Sequence, residues 1–131
     1  MGADGGLSKP CLSAVFHHVW ELPTETLARE YWLSVMMSRT EEGNALPCVR
    51  LHGDKGIVPS TDASIVLAAT QSLMGGAIEI HNRNYLFRVG ETCCKIYLGV
   101  FAPRDQNDQA AIADMCMPII RRAVHRIRRG L

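Results

Sequence analysis

Five cysteines and five histidines have the widest chemical reach in this 131-residue chain. Together they could supply a thiolate nucleophile with its imidazole base, or a metal shell. Their spacing argues against both. Cys11, Cys48, Cys93, Cys94 and Cys116 form no Cys-x-x-Cys pair, and no His-Glu-x-x-His accompanies the adjacent His17 and His18. Neighbouring residues do not share a helix face, so those two histidines cannot chelate together from a helix. His52, His81 and His125 are scattered. A cysteine nucleophile would need Cys93 or Cys94 beside a histidine in space, and strand cysteines among apolar neighbours are more often packing residues. Cys93 and Cys94 should face opposite sides of a sheet. The reading is of no catalytic residue, no metal ligand and no cofactor.

An odd cysteine count with an adjacent pair makes a poor disulfide framework. Residues 1–8 lack the basic and apolar regions of a signal peptide. Free thiols and a cytoplasmic address are therefore expected. Gly53, Gly56, Gly75, Gly76 and Gly90 build no phosphate-cradling loop, and Asp54-Lys55 is a turn pair, not a Walker lysine. Glu41-Glu42 reads as a solvated charge run.

One charge feature stands out. Arg121, Arg122, His125, Arg126, Arg128 and Arg129 crowd the polar face of a C-terminal helix. Such residues complement the helix dipole, and they also fit an acidic or phosphate-bearing partner. The formal net charge is only +1, so the whole chain is no polycation. RNA recognition usually adds exposed aromatics. Tyr85 and Phe87 share a strand face, but they are expected to pack beneath a helix.

The elements that would position these residues follow from periodicity. Apolar residues make up 47% and charged residues 21%, which suits one folded domain over 11–131 behind a frayed stretch at 1–10. No run is long and apolar enough to span a membrane as a helix. Leu12, Val15, Phe16, Val19 and Trp20 fit one stripe of a short helix, with a strand across 14–20 the competing reading. Thr24 caps a helix running to about Arg39, its stripe made of Leu27, Tyr31, Val35 and Met36. A hairpin follows, Pro47–His52 with Gly56–Val58. Residues 62–74 read as a helix that is apolar almost all round, closed by Gly75-Gly76. Three strands come next, Ala77–His81, Tyr85–Val89 and Cys93–Phe101, with turns at 81–84 and 90–92. The last is apolar on both faces, as a central strand is. Asp105 to Asp108 caps a final helix, which Pro118 should kink or split. The fold class is thus α+β: a single, mostly antiparallel five-stranded sheet flanked by helices. The order is α-β-β-α-β-β-β-α, with an extra helix or strand at the N-terminus.

This order resembles the roadblock (dynein light chain) domain, a branch of the profilin-like superfold. The matching stretches are the hairpin 48–58 with its Gly-Asp-Lys-Gly turn, the segment 61–74 and the strand pair 85–101 before a long final helix. The resemblance implies a non-enzymatic module that pairs through its middle helix and a neighbouring edge strand. It also implies a platform for a small GTPase or a motor subunit.

On that basis the expected dimer contacts are Ile65, Val66, Leu67, Ala69, Leu73, Ile78 and Ile80, with a second copy or a related protein as partner. The alternatives are nucleic-acid or anionic-surface binding through the arginines named above, and a dimer of the secretion-chaperone kind. A cysteine enzyme is a further, separate class.

Overall fold

The computed structural model describes residues 9–36, 48–53, 58–106 and 108–130. Between Cys11 and Glu21 the chain is rich in β-branched and aromatic residues, Val15, Phe16, Val19 and Trp20, and it is extended as strand β1. The helical spacing of its apolar residues misleads because a bulge between Leu12 and Ala14 shifts the alternation by one residue. Beyond the bulge, Val15, His17 and Val19 take one face, and Phe16, His18 and Trp20 take the other.

Helix α1 spans Glu25–Tyr31, and a π turn continues it over Trp32–Met36. Thr24 is the N-cap as expected: its hydroxyl accepts from the Leu27 amide at 3.1 Å. The buried stripe differs from the expected one. Ala28 and Trp32 point inward, and Leu27 is exposed.

Strand β2 covers Cys48–Gly53, β3 Ala63–Leu73, β4 Ile78–Val89 and β5 Thr92–Pro103. Helix α2 covers Gln109–Arg128, with Asp108 as its N-cap. It runs unbroken through Pro118 rather than as two pieces. The fold is α+β, with one open, fully antiparallel sheet in the order β1-β5-β4-β3-β2. Thus β2 to β5 meander, and β1 returns to lie beside β5.

Three expectations are corrected here. Residues 62–74 do not form the expected helix: Ala63–Leu73 are β3, paired with β4 throughout and with β2 as far as Ala69, and a short 3-10 turn follows at Met74–Gly76. They look apolar all round because both faces are covered there. Ile65 and Leu67 lie under α1 while Val66 lies under α2, the pattern of a buried strand. Gly75 and Gly76 do not cap a helix. Their φ values of 68° and 94° turn the chain from β3 into β4. The expected turn at 81–84 is the middle of β4, so two short strands merge into one of twelve residues. The expected 52–56 turn lies largely outside the described residues, whereas the 90–92 turn is present, with Gly90 at φ 58°. There are five strands, as read, but not the same five.

The core has two layers. On one face, α2 lays Ile112, Cys116, Ile120, Ala123 and Val124 over Val66, Tyr85, Phe87, Cys94, Ile96, Leu98 and Val100. On the other, Ala28 and Trp32 cover Ile65, Leu67, Leu86 and Cys93, with Trp20 and Tyr31 at the margin. Cys93 and Cys94 therefore do face opposite layers. At about 25 cal/mol per Å² of apolar surface, each large side chain buried in these layers contributes roughly 1.5–3 kcal/mol.

Candidate partner-docking site

Among the described residues β1 pairs only with β5, so its outer rim of backbone N–H and C=O groups has no neighbour strand. Its side chains are unusually apolar for an edge. Phe16 is 65% exposed and Val15 48%, with Leu12 and Val19 also open. Charged or proline residues commonly blunt such edges, and residues 11–20 contain neither.

Two concave surfaces flank this edge. Over one sheet face, Val15 and His17 of β1 meet Ile119, Arg122, Ala123 and Arg126 of α2 across a groove of about 180 Å³. The amphipathic twist of α2 sets this arrangement: Ile120 and Ala123 point at the sheet, and the arginines stand one step round, at the rim. No described carboxylate forms an ion pair with any residue of the basic cluster, Arg121, Arg122, His125, Arg126, Arg128 or Arg129. The cluster divides. Arg122 and Arg126 face the β1 groove, whereas Arg121, His125 and Arg128 line a second groove of about 260 Å³ with Pro59 and Ser60. Arg128 Nε donates to the Ser60 carbonyl at 2.6 Å. The Arg129 guanidinium lies 3.5 Å from the His125 ring.

On the opposite sheet face, α1 covers only one end. Phe16, His18, Asn84, Lys95 and Tyr97 line a hollow of about 390 Å³ beside it. Phe16, His18, Trp20 and Tyr31 follow one another with ring centroids 6.0, 5.3 and 5.8 Å apart. Tyr85 and Phe87 do pack beneath a helix, as their spacing suggested. The exposed aromatic ring is instead Phe16 on β1, which the competing strand reading of 14–20 signals.

The residues nominated for pairing are redistributed. Ile65, Val66 and Leu67 are interior to the chain. Ile78 and Ile80 sit on β4, which lies between β3 and β5 and is no edge. Register places Ile65, Leu67, Ala69, Leu73, Ile78 and Ile80 on the sheet face that α1 partly covers; only Val66 points to α2. The structure thus gathers six of the seven on one face, with Leu73 the most open of them.

A cysteine does meet a histidine: His17 Nε2 lies 3.2 Å from Cys94 Sγ. The electrostatics are unfavourable to a nucleophile. Burial pushes the Cys94 thiol up to about 12, with the neighbouring Cys93 adding to the effect. Burial lowers His17, helped by Arg126 and then His18. A protonated thiol beside a neutral ring is a packed hydrogen bond, not a thiolate pair.

Among the described residues no group of three or more His, Cys, Asp or Glu side chains could hold a metal ion. No described helix is long and apolar enough to cross a membrane. No protein-family model matches this chain, and neither a curated protein nor a solved structure is detectably similar to it.

Proposed function

We propose that this chain is a protein-interaction module that recruits a partner strand along β1. The partner would be a second copy, a related protein or a separate chain. The observation that carries the reading is the eleven-residue outer strand with apolar side chains exposed on both faces. An added strand satisfies the outer backbone groups, and alternate side chains fix its register. Pairing through a middle helix, which the roadblock resemblance implied, would need a helix where β3 lies, so the contact proposed here moves to β1. The wider role as a platform for a small GTPase or a motor subunit stays attached to that resemblance and rests on nothing in the site.

Light scattering across micromolar concentrations, run beside selection from a library of random extended peptides, tests the reading. The expected result is a dimer or enriched peptides, either one protecting β1 amides from hydrogen exchange. A lone particle whose β1 amides exchange freely whatever is added rejects it, as does protection confined to β2.

A further inference from the structure

We infer that the strand added to β1 is an acidic, extended segment of another chain, with alternate carboxylates seated on Arg122 and Arg126. This rests on the strand-addition reading and names its partner chemistry.

The first argument is charge. An incoming strand at β1 presents every second side chain toward α2. There it meets two exposed guanidinium groups and Val15, with no described carboxylate paired to either arginine. Arginine's planar fork suits carboxylate recognition.

The second argument is spacing. Residues one helical turn apart, such as Arg122 and Arg126, advance about 6 Å along the axis. Residues two apart on a strand advance about 6.6 Å. Val15 and His17, two apart on β1, border the same groove as Arg122 and Arg126, so carboxylates at alternate positions of a neighbouring strand meet the two arginines at a similar step.

The third argument concerns the rival occupant. Two copies of β1 can pair antiparallel only about a two-fold axis normal to the sheet. That operation keeps both α2 helices on the same face. Arg122 and Arg126 of both copies would then border one seam, which adds like-charge repulsion.

The test uses three synthetic peptides long enough to cover β1: alternating Val-Glu, Val-Thr and Val-Lys, with oligo-thymidine as a competing anion. Binding is read by fluorescence anisotropy at low and physiological salt, and its location by amide exchange. The expected order is Val-Glu about fivefold to tenfold tighter than Val-Thr, on two exposed ion pairs, with Val-Lys weakest. The preference should shrink as salt rises. The double variant Arg122→Glu with Arg126→Glu, whose fold is checked by circular dichroism, should reverse the order.

Equal binding of all three peptides, unchanged by charge reversal, overturns the acidic assignment and leaves strand addition standing. Binding of none, with no β1 protection, overturns strand addition itself. Self-association that excludes the Val-Glu peptide makes a second copy the occupant and defeats the inference. So does oligo-thymidine that displaces the peptide and binds as tightly without protecting β1, because the arginines would then read phosphate alone.

Discussion

Among the described residues, His17 and His81 are the two histidines whose protonation the fold opposes. Burial lowers both from the usual 6.5. At His81 the nearby Glu79 carboxylate pulls the other way, and Arg83 adds to the lowering. His81 is almost fully buried, with Thr70 Oγ1 3.4 Å from its Nδ1 and Glu79 Oε1 3.6 Å from its Nε2. As pH falls through about 6.5 the unfolded chain takes up protons before the folded chain does. This contribution to stability is therefore complete above that pH and declines below it, until the folded groups titrate as well. Urea midpoints should drop between neutral and mildly acidic buffer, and ring-proton titrations should place both histidines below 6.5. The cysteines sort by the same rule. Cys11 is exposed, whereas Cys93, Cys94 and Cys116 are buried with thiols raised by burial. A thiol reagent should label Cys11 in the native protein. It should reach Cys93, Cys94 and Cys116 only as fast as the chain opens, read by peptide mapping. Rapid native labelling of Cys94 would revive the cysteine–histidine chemistry that its environment opposes.

Among the elements, α2 was the most legible in sequence, because a long repeat of 3.6 has no competing strand reading. The buried side chains Ile112, Cys116, Ile120, Ala123 and Val124 follow the stripe that the sequence shows. The cap Thr24 was equally plain, and Asp108 ends the stretch 105–108 from which the second cap was expected, since a short polar side chain before an apolar repeat has one main structural use. What failed was the distinction between strand and helix in short apolar runs. In β3, Ile65, Val66 and Leu67 are apolar in succession because helices cover both faces, and that removes the period-two signal. In β4, the polar run 81–84 mimics a turn. Yet its side chains are placed within the sheet: Arg83 donates to the Tyr85 hydroxyl at 2.8 Å, and the Tyr97 hydroxyl donates to Asn82 at 2.5 Å. The C-terminal arginines were legible by type and position, but not their partition between two grooves, which depends on β1 lying beside α2. Pro118 gives a prediction at this scale. It is exposed within α2 and lacks the amide that would bond the Asp114 carbonyl. Pro118→Ala should raise stability by roughly 1–3 kcal/mol, seen as a higher urea midpoint without change in helix packing.

For the molecule as a whole, stability and recruitment sit on different residues and should separate under mutation. Leu98 is buried between α2 and the sheet centre, so Leu98→Ala should cost about 2–5 kcal/mol. Phe16→Glu changes a side chain that already faces solvent. It should leave the thermal midpoint nearly unmoved while weakening whatever pairs with β1. Paired thermal melts and binding isotherms check the contrast; a Phe16→Glu chain that melts far earlier would place that ring in the core. The same partition explains why Ile65 and Leu67, two of the six expected contact residues on that face, are held in the core beneath α1, while Leu73 stays open.

The sheet order also sets a timetable. Cys11 lies in register opposite Phe101 and Glu21 opposite Thr92, so β1 must find β5 across most of the intervening chain. Closing so long a loop is slow, whereas the hairpins from β3 to β5 close over a few residues. Pulse-labelled exchange during refolding should therefore find β1 amides protected after those of the meander. On the ribosome, the segment destined for the rim would wait unzipped until β5 had been synthesised.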